Sequence, residues 1–373
     1  MSAQRAGTWA GPYVRFLLGL PYTAVVLIAL LAALALGQEP ARPSFAEWLA
    51  AVRAEAIARG VKEQVVDEAL ADVTEPQPVI LERDRAQAET VFSLEKYIGR
   101  ILTTKRILSG REAFEAQREL LGQVSERYGV PAPIIVAIWG MESNFGRFSG
   151  VRPTVPALAT LAWDPRRATF FRGELFDALE ILNRGDIDLA KMKGSWAGAM
   201  GQAQFMPSSY LKFAEDFDGD GKRDIWSTPG DVLASIANYL KGHGWVAGQG
   251  WGREVKVTPE VAQRVARDVA PRNGSCQATR HMTVPLPLSR WQELGVRLPK
   301  GKALPKSDTQ ASMVSGDTRH FLVDPNYDAI LEYNCAHSYA ITVALLGDAI
   351  ASDKAPPASK PKKAPAAKKK HPG

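Results

Sequence analysis

The sequence predicts a mainly helical α+β protein, and three observations carry that expectation. Residues 44–130 hold helix start and stop signals in close succession. The stretch Pro133–Gly146 is apolar on every side until a single carboxylate, Glu142. Short extended patterns appear only beyond Gly252.

At 373 residues the chain is long enough for a sizeable core and two or three domains. Its net charge of +6 suggests a polyanion partner, but the excess is local. The segment after Asp353 holds seven lysines and no acid, leaving 39 basic against 40 acidic side chains elsewhere. A near-neutral body argues against a nucleic-acid-binding domain. The Lys/Pro/Ala tail, residues 354–373, lacks core formers and reads as disordered.

At the other end, Arg5 and Arg15 precede an uncharged run from Phe16 to Leu36, followed by small residues around Ala35-Leu36-Gly37. Residues 1–37 therefore read as an export signal, with retention as a membrane anchor as the alternative. Export places the chain in the periplasm and permits Cys276 and Cys335 to pair. Closing that loop would stabilise the fold by about 4 kcal/mol in the chain-entropy model; two buried thiols are the competing reading.

The first helix opens at Ser44-Phe-Ala-Glu47, a capping box, and stops at Gly60. A second runs from about Lys62 to Ala71, and two longer ones are expected over Glu82–Leu108 and Arg111–Tyr128. Then comes the organising stretch. Pro131 and Pro133 suit a first turn, Ile134–Met141 is apolar throughout apart from Gly140, and Asn144 and Gly146 end the helix. Ile135, Ile138 and Glu142 share one face. A carboxyl there is desolvated and lies at the negative end of the helix dipole, which should raise its pKa from ~4.3 towards ~6. Such a group is a general acid at neutral pH. For a lone glutamate the commoner role is structural, so the reading depends on the residues downstream of it.

An irregular segment with Trp163-Asp-Pro-Arg166-Arg167 leads to a helix over about 167–183. Lys193–Pro207 is rich in glycine and alanine (Gly194, Gly198, Gly201), suited either to close backbone approach to a ligand or to tight packing. Ser195, Gln202 and Gln204 add neutral hydrogen-bonding groups that fit a hydroxyl- and amide-rich ligand. Asp216-Phe-Asp218-Gly-Asp220-Gly221-Lys222-Arg-Asp224 follows the EF-hand calcium loop at positions 1, 3, 5, 6 and 9. Position 12 is Ser227, and the next acid is Asp231, also the expected N-cap of a Val232–Leu240 helix. The expected ligands are Asp216, Asp218, Asp220, the Lys222 carbonyl and Asp231. Calcium is favoured over magnesium, in a structural role; a solvated acidic turn is the alternative. Beyond Gly252, His281–Leu288, Gln310–Ser315, Thr318–Asp324 and Ala329–Tyr333 have strand patterns. Tyr333, Asn334 and Tyr339 cluster before a last helix that runs to about Ala349.

Together these pieces resemble the lytic murein transglycosylases of the membrane-bound B type, glycoside hydrolase family 103. The matching segments are Glu142-Ser-Asn-Phe-Gly146, Ser195–Gly201, Gln204-Phe-Met-Pro207, Asp216–Asp224, Asn238-Tyr239 and Tyr333-Asn334 with Tyr339. The resemblance implies a lysozyme-like core over 131–250, a helical domain over 44–130 rejoined by the helix at 334–350, and a small mixed domain over 251–333. It implies Glu142 as the single catalytic acid and base. Ser195 and Gln204 would line the subsites, Tyr97, Tyr239, Tyr333 and Tyr339 would contact sugar rings, and Arg166 and Arg167 would face muramyl or peptide carboxylates. Ser227 and one extra residue before Asp231 depart from the usual loop spacing. The implied partner is the peptidoglycan glycan strand, with cell-wall synthesis proteins as further candidates, no organic cofactor, and the membrane only through the N-terminal segment.

Most glycosidases use a second carboxylate. Asp164 is tied to Pro165 and two arginines, and Glu174 and Asp177 sit on an ordinary amphipathic helix, so none is a good candidate. The expected route is therefore substrate-assisted, ending in a 1,6-anhydromuramyl product. A hydrolytic muramidase on the same fold and a catalytically silent peptidoglycan-binding protein are the alternatives.

Overall fold

Helices form where the start signals stand, and the computed structural model describes them over residues 43–86 and 92–352. The segment expected as an export signal or anchor, residues 87–91 and the lysine-rich tail lie outside the described residues. The chain divides into two compact units, residues 1–50 and 51–373. Of the first, only the opening turns of α1 (Phe45–Ala58) are described. Its capping box is formed: Ser44 N and Oγ donate to Glu47 Oε2 at 2.7 and 2.8 Å, and Glu47 N donates back to Ser44 Oγ.

In the second unit, α2 (Glu63–Leu70), α3 (Pro78–Ala86), α4 (Leu94–Ile101), α5 (Thr104–Ala116) and α6 (Arg118–Tyr128) follow. The two long helices expected here are broken differently. Thr103 caps α5 by accepting from Arg106 N, which separates it from α4. Gly110 does not end a helix: a Cβ there would lie 2.7 Å from Ile350 Cδ1, so the glycine lets α5 approach the last helix.

α7 (Ala132–Ser143) is buried from Ile134 through Gly140, as its all-round apolarity requires. Its end is abrupt. Asn144, Phe145 and Gly146 have φ of 53°, 60° and 78°, a left-handed run that turns the Phe145 ring back over Gly140. After α7 the segment expected to be irregular contains β1 (Arg152–Pro153) and a buried helix, α8 (Thr154–Trp163). α8 packs along α9 (Ala168–Arg184); its run of small and apolar residues has no polar face, so periodicity cannot reveal it. β2 (Lys193–Gly194) pairs with β1, and α10 (Pro207–Phe213) and α11 (Pro229–Gly242) complete this part.

A four-stranded antiparallel sheet follows, in the order β3-β6-β5-β4, from β3 (Gly252–Val255), β4 (Leu286–Pro287), β5 (Gln310–Ser315) and β6 (His320–Val323). Gly252 stands opposite Val323, and Ser312 opposite the same residue on the other side. α12 (Pro259–Asp268), the short α13 (Gln277–Arg280) and α14 (Leu288–Glu293) accompany the sheet, whose core centres on Trp291, Leu288, Met313 and Leu322. Ala329–Tyr333, expected as a strand, is the end of a helix, α15 (Asn326–Tyr333). Asn326 starts it by bonding the Val246–Gln249 loop, a long-range contact that overrides the local β pattern. α16 (His337–Ala351) returns to pack on α4, α5 and α7. Cys276 and Cys335 form a disulfide, Cα–Cα 5.8 Å, joining the start of α13 to the α15–α16 link. Among the described residues no helix is long and apolar enough to cross a membrane.

Candidate active site

The end of α7 is where the fold places its polar chemistry. Ser143 Oγ donates to Trp139 O and accepts from Gly146 N, so the left-handed turn is held to the helix. The indole of Trp139 donates to Gln202 Oε1 at 2.8 Å, and Gln202 Nε2 donates to Trp226 O at 2.8 Å. Gln202 thus links α7 to the loop before α11, with both ends of its amide engaged by the protein. A Cβ at Gly146 would stand 2.5 Å from Gln202 Oε1, which explains the glycine there.

Glu142 is partly buried, and among the described residues its carboxyl takes one hydrogen bond, from Tyr339 Oη to Oε1 at 2.5 Å. Burial pushes its pKa up from 4.5 to about 7; the Tyr339 bond pulls the other way and loses. The expected upward shift is present and larger than the sequence suggested. No second carboxylate contributes to it.

Tyrosines surround this acid. Tyr339, on the first turns of α16, has its own ionisation raised by burial and by the charges of Glu142, Tyr333 and Tyr97. Tyr333 closes α15 and donates to Ala203 O at 2.9 Å. Tyr97, on α4, is raised by burial and by Glu142, with Arg106 opposing. Tyr97, Tyr333 and Tyr339 therefore converge on Glu142 from three helices. Tyr239 differs: it is 8 % exposed, its hydroxyl donates to Glu332 O at 2.7 Å, and its ring lies 4.6 Å from that of Tyr333. It backs Tyr333, together with Phe205 and Phe213, and offers little face of its own. Asn334 is exposed at the α15–α16 link.

The glycine-rich loop is tightly packed. A Cβ at Gly194, Gly198 or Gly201 would lie 2.3, 2.3 or 2.5 Å from Ala199 O, Leu158 Cδ2 or Ile225 O respectively. Ser195 Oγ accepts from the amides of Ala197 and Ala199, shaping the turn. Gln204, at φ 50°, donates its side-chain amide to Gly201 O at 2.8 Å and stands beside Ala203, the acceptor for Tyr333.

Arg166 and Arg167, expected to face muramyl or peptide carboxylates, are both engaged within the protein while their side chains stay about half exposed. Both guanidiniums pair with Asp84, whose side chain is only 6 % exposed, and Arg166 also bonds Asp164 at 3.0 Å. These pairs tie α3 to the α8–α9 turn.

The acidic loop gathers Asp216, Asp218 and Asp231, with a carboxylate oxygen from each within 4.8 Å of the others. Asp220 instead accepts Lys222 N at 2.8 Å, and Asp224 accepts the amides of Trp226 and Ser227. Asp231 is not the N-cap of α11, which is Thr228 with Pro229 following; it lies inside the first turn. It is 1 % exposed and accepts Phe217 N and Asp224 N. Burial pushes its pKa up to about 6 against those two amides, and Asp218 and Asp216 add to the rise. Three converging oxygens, one buried and reluctant to ionise, are a donor set that a hard divalent cation would satisfy.

Two contributors carried no sequence signal. Arg106 Nη1 donates to Gly140 O at 3.0 Å, beneath the acid. Glu95 Oε1 accepts Thr318 N and Arg319 N at 2.7 and 2.9 Å, docking the β5–β6 hairpin onto the helix that bears Tyr97. Burial opposes its ionisation, yet the amides of Thr318, Arg319, Asp317 and its own backbone hold the pKa at about 2.

Comparison with known proteins agrees with this geometry. The transglycosylase SLT domain matches residues 44–348. The chain is 35% identical over 264 residues to membrane-bound lytic murein transglycosylase B of Escherichia coli K12, covering 69% of this chain and 67% of that protein. SltB3 of Pseudomonas aeruginosa, solved with NAG-anhNAM-pentapeptide, superposes with a TM-score of 0.75 at 42% identity, over 83% of this chain and 80% of that one. The Escherichia coli lytic transglycosylase Slt35, solved with calcium, gives 0.68 at 30% identity, over 84% and 95%. With a lysozyme-like helical core, a protonatable glutamate at its centre and matches along most of its length, the chain belongs to the lytic murein transglycosylases of the transglycosylase SLT domain family and is an enzyme that cleaves peptidoglycan.

Proposed function

We propose that Glu142 is the one acid and base of this cleavage, acting on the β-1,4 bond between N-acetylmuramic acid and N-acetylglucosamine. The observation that carries the reading is a carboxyl held by burial at about 7, with a tyrosine donor and no second carboxylate acting on it. Protonated Glu142 gives its proton to the bridging oxygen as the C1–O bond breaks. The muramyl N-acetyl oxygen stabilises C1, since among the described residues no second carboxylate acts on Glu142. Glu142, now ionised, takes the proton of the same sugar's C6 hydroxyl, and that oxygen closes on C1. The product is a 1,6-anhydromuramyl end and no water is consumed. Tyr339 steadies the carboxylate formed in between, and proximity within one sugar ring supplies much of the rate. Tyr97 and Tyr333 flank the sugar-binding floor, with Tyr239 behind; Ser195, Gln204 and Asn334 border it.

Asp216, Asp218 and Asp231 would hold a calcium ion, with Asp220 and the Lys222 carbonyl as further oxygen donors, and the ion would brace the loop before α11. The solved Slt35–calcium complex supports that choice of metal for a relative. Its role here is structural, because the loop offers no group to the reacting sugar. The basic, then apolar, N-terminal segment supports export to the periplasm, where peptidoglycan lies, and the solved complex of SltB3 with a NAG-anhNAM-pentapeptide supports a glycan-strand ligand.

The test is digestion of purified murein sacculi by the wild type and Glu142→Gln. Masses of anhydro ends from the wild type and none from the variant are expected. Reducing ends would instead establish the hydrolytic muramidase, and an undiminished Glu142→Gln digest would remove Glu142 from the chemistry.

A further inference from the structure

A cation still belongs beside the reacting sugar, because every muramyl unit carries a carboxylate on its lactyl group or on the peptide attached there. Arg166 and Arg167 each pair with Asp84, and Arg166 also with Asp164. Arg106, from α5, is different. Its Nη1 touches only Gly140 O, at 3.0 Å, and Met141 Sδ, at 3.9 Å, the two residues before Glu142. Among the described residues no carboxylate lies within ion-pair distance of it. It is partly buried, and burial makes its charge less comfortable; the group that helps it is Tyr97, which also senses Glu142. Its Nε and Nη2 have no protein acceptor among the described residues, and neither is sealed from solvent. Arg147, also near the acid in sequence, is exposed.

A half-desolvated guanidinium held by one nitrogen, with its Nε–Nη2 edge open, presents the side-on fork that carboxylates bind bidentately. We infer that Arg106 is a specificity-determining residue that binds a carboxylate of the muramyl unit, lactyl or stem-peptide, beside Glu142. This rests on the proposed glycan cleavage and adds to it a preference for anionic strands. Binding there serves orientation: it fixes the muramyl ring relative to Glu142 and involves no proton transfer by Arg106.

The probes are peptide-stripped glycan strands, whose lactyl carboxylates are free, and peptide-bearing strands, each also after carbodiimide amidation of its carboxyls. Arg106→Gln removes the charge; Arg106→Lys restores the charge without the fork. On the strand that Arg106 reads, amidation should raise the wild-type KM about 10- to 100-fold with little change in kcat. Arg106→Gln should show that high KM on native and amidated strands alike, and Arg106→Lys should recover part of it. A response confined to stripped strands assigns the lactyl group; one confined to peptide-bearing strands assigns the stem. The inference is overturned if the wild type is indifferent to amidation, or if Arg106→Gln loses the same factor on amidated strands, which is the signature of a purely structural role. Strand binding to Glu142→Gln, with and without Arg106→Gln, reads the same contrast without turnover. Product masses separately judge the transglycosylase route, so failure of one conclusion is distinct from failure of the other.

Discussion

Replacing Glu142 by Gln should make the protein more stable, and by an amount that depends on pH. The carboxyl titrates near 4.5 in an unfolded chain and at about 7 in the fold, because burial disfavours its charged form. Folding therefore favours the proton. Below pH 4 both states are protonated and the group costs nothing. As pH rises through 4.5 the unfolded chain ionises freely while the folded one resists, so the folded state loses stability until pH passes about 7, where the penalty levels off. At 1.36 kcal/mol per tenfold, the penalty is about 1 kcal/mol at pH 5 and about 3 kcal/mol at pH 8. Glutamine stands in for the neutral acid and keeps an oxygen for Tyr339 Oη, so the variant escapes that penalty. Urea unfolding of both proteins at pH 5 and pH 8, followed by tryptophan fluorescence, should give a stability gain that grows by about 2 kcal/mol between the two. A gain that is flat with pH, or a loss at pH 8, would mean that Glu142 is ionised at neutrality, and its role as general acid would go with it.

Tyr339→Phe should move the same titration. With its hydroxyl donor gone, the Glu142 pKa rises further, so the alkaline limb of the pH–rate profile shifts upward. kcat should fall about 10- to 100-fold because the carboxylate formed in mid-reaction is less stabilised. Calcium at 100 times its Kd should add about 2.7 kcal/mol of stability, read as a rise in Tm that chelation reverses and Asp216→Asn abolishes; no change in Tm would leave the acidic loop as a mere turn. Asp84→Ala removes the acceptor shared by Arg166 and Arg167, whose side chains are about half exposed, and should lower Tm only slightly. The KM for native strands should stay put when those arginines serve only as anchors of α3; a marked change would return them to the substrate site.

Much of the site is legible in the chain because local rules govern it. An unbroken apolar run must be a buried helix, so Glu142 at its end must be desolvated whatever packs around it. Paired aspartates two apart with a turn glycine gather carboxylates through loop geometry alone. The capping box at Ser44 and the left-handed Gly129 and Gly185 likewise end or begin helices by local chemistry. Where periodicity has no contrast, as along α8, or where distant bonds decide, as for Asn326 and α15, the pattern misleads.

What only the tertiary structure decided is who meets whom. Arg166 and Arg167 look free in sequence, yet Asp84 lies more than eighty residues upstream and pairs with both. Arg106 looks like any arginine on an amphipathic helix, yet the fold puts it under α7 with no acid among the described residues to answer it. Tyr97, Tyr333 and Tyr339 converge on one carboxyl only because α16 returns to pack on α4, α5 and α7. Helix ends, turns and burial follow from neighbours a few residues apart, whereas charge pairing and the shape of the cleft depend on elements brought together from far along the chain. The sequence by itself thus determined that one acid would sit at the end of a buried helix; packing determined what surrounds it.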